Sequence, residues 1–116
     1  MSIIKDKLIL DAILESIEKI QNYASSFTEA NEFFDTMNFE ASVMNFIIIA
    51  EMTEKLSPEI IKENSVIDWK SIKGFRNIAA HNYFGLDYNE VWYIIESYLP
   101  ELKLNVKQII EKIKSQ

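Results

Sequence analysis

The chain has 116 residues, 48% of them hydrophobic, with two glycines, two prolines and no cysteine. That composition predicts one all-α domain able to build its own core, and it excludes disulfides and thiolate metal sites. A formal net charge of -6 argues against the nonspecific attraction to nucleic acid or anionic lipid that clustered Lys and Arg provide.

The first predicted helix runs from about Ser2 to Ala24, where Leu10, Ile13, Ile17, Ile20 and Ala24 recur at three- and four-residue steps. The opening stretch MSIIKDKLILDAIL mixes charges into its apolar residues, unlike a signal peptide. Ser25, Ser26 and Thr28 break the pattern and lead into a short acidic segment from Thr28 to Glu40. There the pair Phe33-Phe34, flanked by acids, is expected to form an exposed interaction surface.

A second long helix is expected from Asn38, a favourable N-cap, through Phe39, Val43, Phe46, Ala50 and Thr53 towards Leu56. Its wide apolar face marks it as the central helix, with Glu51 expected at the bundle edge. Val43 to Ala50, the longest strongly apolar stretch, is far short of the ~20 residues that span a bilayer, so a cytoplasmic protein without membrane contact is expected. Ser57-Pro58-Glu59 suits a short helix with Pro at its first position. Asp68 is the expected cap of a third helix carrying Ile72, Phe75, Ile78 and Ala79 inward, with Gly85 as its stop. Asp87 caps the next start, whose buried face is Val91, Ile94, Ile95 and Tyr98. Pro100 interrupts or kinks it, and Leu102, Val106, Ile109 and Ile113 carry the pattern to the end. Trp69, Trp92, Tyr93 and Tyr98 could stack on bases, but they stand at helical spacing among aliphatic residues and are expected in core or dimer packing. The sum is an up-and-down bundle of four to five helices over residues 1–116.

Within this frame the segment FRNIAAHNYF, residues 75–84, holds the one arginine and the one histidine of the chain, Arg76 and His81; every other basic side chain is a lysine. Asp68 to Gly85 carries Lys70, Lys73 and Arg76 against Asp68 alone, so the segment is locally positive. A histidine titrates near neutrality and can move protons, and an arginine holds a phosphoryl group with a planar fork that lysine lacks. Asn77 and His81, four apart, share a helix face, whereas Arg76 and His81, five apart, do not. The spacing is equally that of an arginine capping the last carbonyls of its helix beside a histidine near Tyr83.

The stretch from Gly74 to Gly85, followed by Asp87 and Val91-Trp92, closely resembles the arginine, four residues, histidine, one residue, tyrosine motif of the HEPN superfamily, and in particular the HepT-like toxin family. The likeness extends over most of the chain, through the AEMTEKLSPE segment at Ala50 to Glu59 and Trp69 ahead of the motif. It implies a homodimeric, metal-independent endoribonuclease without cofactor, the toxin of a type VII toxin-antitoxin pair. On that resemblance Arg76 and His81 are catalytic and Asn77 supports them. Tyr83 is the acceptor of AMP from a partner similar to MntA, a minimal nucleotidyltransferase that neutralises the toxin. Lys70 and Lys73 are candidates to contact the RNA substrate. The alternative is a non-catalytic helical module that binds a nucleotide or docks the nucleotidyltransferase; an intact Arg76, Asn77 and His81 set favours the enzyme, and the net acidity favours the module.

Overall fold

The computed structural model describes residues 2–81 and 87–116. Helix α1 (Ser2–Ala24) buries the expected stripe, since Leu10, Ile13, Ile17, Ile20 and Ala24 are all shielded from solvent. After it come α2 (Ala30–Phe34), α3 (Met37–Glu54), α4 (Pro58–Glu63), α5 (Trp69–Lys73) and α6 (Arg76–His81). The chain then forms α7 (Tyr88–Tyr93), a π-helical turn (Ile94–Tyr98) and α8 (Leu99–Lys114). Among the described residues there is no strand, so the all-α expectation holds. No described helix is long and apolar enough to cross a membrane.

Side-chain contacts at the helix ends fix the packing directions. The Asn38 amide, at the start of α3, donates to the Tyr23 carbonyl near the end of α1 at 3.0 Å. Asp6, near the start of α1, accepts from the backbone N–H of Ser57 at 2.9 Å and from its hydroxyl at 2.6 Å, just beyond the end of α3. Helices α1 and α3 are therefore antiparallel. The ion pair Lys103–Glu18, 3.3 Å, joins the first turns of α8 to the later part of α1. Between them lies one core that includes Leu10, Ile17, Phe39, Phe46, Ile49 and Leu102. The polar residues buried in α3 satisfy themselves on the preceding turn: Ser42 on Asn38, Asn45 on Ala41 and Thr53 on Ile49.

Asp6 is only 2% exposed, and its two bonds from Ser57 tie α1 to the turn where α4 begins. Removal of a buried charged acceptor leaves the Ser57 donors unpaired, so Asp6→Ala is expected to lower unfolding free energy by about 2–3 kcal/mol. Urea denaturation checks this, and Asp6→Asn, which retains an acceptor oxygen, should lose less.

The shorter elements show where local signals act and where tertiary contacts override them. Ser57, Asp68 and Asp87 cap α4, α5 and α7 as expected, each side chain accepting a backbone N–H of the first turn. Helix α3 starts earlier than Asn38. Thr36 is its cap, accepting from the Phe39 N–H at 3.2 Å, while Asn38 lies inside the first turn and its amide N–H donates to the Tyr23 carbonyl. Pro100 does not interrupt the helix; the π turn just before it takes up the change. The Leu99 N–H reaches back five residues to the Ile94 carbonyl, loosening the coil where a proline lacks its N–H and crowds the carbonyl four residues before it.

The Phe33-Phe34 expectation is corrected. Phe33 is fully buried, with its ring 5.5 Å from Trp92 and 5.7 Å from Phe39, and Phe34 is half-buried against Phe39 and Tyr88. Helix α2 packs on α7, and that contact covers the pair despite its acidic neighbours. Glu51 is exposed at the bundle edge as expected.

Candidate functional site

The motif sits on α6, which a tight corner separates from α5. Asp68 builds the entry: Oδ1 accepts the Ser71 N–H at 3.1 Å and Oδ2 accepts the Ser71 hydroxyl at 2.6 Å. These bonds, the hydroxyl first, hold the Asp68 carboxyl below its ordinary range, so the cap weakens as pH falls through that lowered value. Trp69 is buried, and its indole N–H donates to the Asn64 carbonyl at 3.0 Å, fixing the preceding turn.

At the corner, Gly74 closes α5 and accepts the Asn77 N–H at 2.9 Å. A Cβ on Gly74 would meet the Ser71 carbonyl oxygen at 3.1 Å, so the close approach of the chain favours glycine. Phe75 and Ile78 turn inward, Phe75 edge-on to Phe46 at 5.0 Å. The sequence suggests one continuous helix with the motif at its C-terminal end. Instead Arg76 opens a helix of its own, because Gly74 and Phe75 turn the chain between the two.

Arg76 does not cap carbonyls. Its guanidinium meets Glu54, the last residue of α3, with Nη2–Oε2 at 2.7 Å, and both side chains stay nearly half exposed, 45% and 43%. Sequence reasoning weighed Glu51 and passed over Glu54. No local rule links position 54 to position 76; the contact exists because α6 packs on the end of α3. Asn77 is exposed beside Arg76, and Lys70 and Lys73 are exposed on the preceding α5. Of the expected residues, Arg76 and Asn77 are adjacent at the start of α6, and Lys70 and Lys73 belong to α5, which precedes it. The backbone of His81 ends α6; its side chain, together with Tyr83 and Gly85, lies outside the described residues.

Next to this corner, α5 and α6 face α7 and the π turn across a groove of about 460 Å³. Asn77 lines its edge, with Phe75 and Val91 beneath and Glu90, Tyr93 and Tyr98 along the opposite side. Burial, then the nearby carboxylates of Asp68 and Glu101, push the Tyr98 phenol above its ordinary range, so near neutrality it is a hydrogen-bond donor. Tyr93, expected in core or dimer packing, is 66% exposed on the single chain and so lies outside its core. Its spacing of three from Glu90 was the legible sign that the two share a face of α7.

A model of the family described as Ribonuclease HepT-like matches residues 13–109. The chain is 32% identical over 107 residues to a "Gamma-glutamylcyclotransferase and putative RNase" of Methanocaldococcus jannaschii, covering 92% of this chain but only 48% of that longer relative. It is 31% identical over 105 residues to a "Putative RNase" of Caldanaerobacter subterraneus subsp. tengcongensis, covering 90% and 94% of the two chains. A further "Putative RNase" of M. jannaschii is 31% identical over 108 residues, with 92% and 88% covered. No solved structure matches the chain. With the family model spanning residues 13–109, most of its length, the protein belongs to the HepT-like ribonuclease family.

Proposed function

We propose that the protein is a metal-independent endoribonuclease that cleaves RNA with Arg76 and His81 and acts as the cytoplasmic toxin of a toxin-antitoxin pair. The observation that carries this reading is the placement of the motif: Arg76 begins and His81 ends one short helix, and the Arg76 guanidinium is open to solvent. In the reaction, His81 takes the proton of an RNA 2′-hydroxyl as its oxygen forms a bond to the adjacent phosphorus. The bond from phosphorus to the 5′-oxygen breaks, and that oxygen leaves with a proton from solvent. Arg76 stabilises the charge that builds on the phosphoryl oxygens. Asn77, one helical turn before His81, supports the imidazole, and Lys70 and Lys73 draw the RNA backbone to the corner.

Glu54 does not oppose this chemistry strongly. An exposed ion pair contributes only about 0–1 kcal/mol, and a phosphate that engages the guanidinium fork through two charge-assisted hydrogen bonds competes well with it. Until RNA arrives, Glu54 holds Arg76 at the head of α6.

A homodimer completes the site in this reading. On helix α3, Met37, Ala41, Met44 and Ile48 follow one another at helical steps along a face where Met37 is 82% and Met44 59% exposed. An exposed apolar face of this kind marks a contact surface. Pairing of two copies over this face near Ile48 brings their Arg76 corners toward one another, giving RNA two motifs. Wild-type protein should then run at twice the monomer mass in light scattering, and Met44→Lys at the monomer mass with unchanged helix content.

Tyr83, two residues from His81, is the proposed acceptor of AMP from a minimal nucleotidyltransferase. The added phosphate puts negative charge where the substrate phosphate must sit. The ribonuclease reading is tested by incubating the protein with total RNA in EDTA and analysing the ends. Fragments with 5′-hydroxyl and 2′,3′-cyclic phosphate ends are expected. Fragments with 5′-phosphate ends would overturn the mechanism.

A further inference from the structure

The groove beside α6 has a character opposite to the motif corner. No lysine or arginine is among the described residues that line it, whereas the carboxylates of Asp68 and Glu90 are. Phosphate is repelled by such a lining. The floor is apolar, with Phe75 3% and Val91 1% exposed, and Tyr93 stands at the side with most of its ring in solvent. A flat ligand with apolar faces and N–H donors on its edge fits these surfaces, which describes an unpaired nucleobase.

The acceptors narrow the choice of base. Both oxygens of Asp68 are engaged by Ser71, while Glu90 is exposed and has no ion-pair partner among the described residues. A carboxylate accepts best from two adjacent N–H groups. Guanine offers them side by side on its Watson–Crick edge; uracil offers one N–H between two carbonyl oxygens, which a carboxylate repels. Asn77 joins the two regions, since it lines the groove and directly follows Arg76 on α6.

We propose that this groove is a guanine-selective subsite, in which Tyr93 stacks on the base and Glu90 accepts from its edge while the neighbouring phosphate lies at Arg76. The proposal rests on the ribonuclease reading for its place beside a scissile bond, but base binding is measurable without cleavage. Titration of GMP and of UMP into the labelled protein, followed by amide NMR, should show GMP binding at least about tenfold more tightly, with the largest changes around Val91. Glu90→Ala should remove the preference, and Tyr93→Ala should weaken both nucleotides about tenfold. Both side chains are exposed, so the variants should fold; their amide spectra check this. Equal affinity for the two nucleotides, or a preference that survives Glu90→Ala, overturns the subsite. So do groove signals that respond to protein concentration and to neither nucleotide, which would make the groove a contact between copies of the chain. Cleavage sites mapped on RNA separate the two claims. Cutting without base preference, together with equal GMP and UMP binding, removes the subsite and leaves the ribonuclease; GMP selectivity in a protein that cuts nothing does the reverse.

Discussion

Arg76→Ala is expected to slow RNA cleavage about 10²–10³-fold, the usual effect of removing one donor that stabilises transition-state charge. The reason lies in the geometry of the corner. Arg76 is the one side chain there that can grip two phosphoryl oxygens at once, and Glu54 presents it at the head of α6 at 2.7 Å. Arg76→Lys should recover only part of the rate, because an ammonium supplies the charge without the planar fork. Stability should barely move. The Arg76 side chain is 45% exposed, and an exposed pair contributes at most about 1 kcal/mol. Initial rates on one defined RNA in EDTA, measured alongside thermal melts of the same preparations, separate the loss of catalysis from a loss of fold.

Phe33→Ala is expected to cost about 3–5 kcal/mol of unfolding free energy, as for other fully buried phenylalanines. Phe33 is the hub that ties α2 to the rest of the core. Its ring lies 5.4 Å from Phe27, 5.7 Å edge-on to Phe39 and 5.5 Å from Trp92. Helix α2 has five residues and no side-chain N-cap bond, far too short to persist without such packing. Phe34→Ala, at a half-buried site, should cost clearly less. Urea denaturation of the two variants checks the order; a loss below about 1 kcal/mol for Phe33→Ala, the range of ordinary surface substitutions, would mean that α2 is not docked as described.

These two cases also mark what the sequence makes legible. Apolar stripes and caps are local, so α1, α8 and the starts at Ser57, Asp68 and Asp87 follow from spacing and residue type alone. Thr36 in place of Asn38 does not: α3 begins at Met37, and Asn38 inside its first turn donates instead to the Tyr23 carbonyl fifteen residues away. Phe33 between acids reads as exposed until α7 is laid over it. At the site, the sequence marks Arg76 and Asn77, since a single arginine among lysines is conspicuous, and Lys70 and Lys73 stand a few residues before them. Glu54 and the acidic groove are tertiary. One needs α3 beneath α6, and the other needs α5, α6 and α7 around a common hollow.

The ribonuclease account is tested most directly by comparing wild type with His81→Ala on total RNA in EDTA, at equal concentrations and with matched helix content by circular dichroism. Cleavage by the wild type that His81→Ala reduces at least about a hundredfold is the predicted result. Equal cleavage by the two proteins would contradict it.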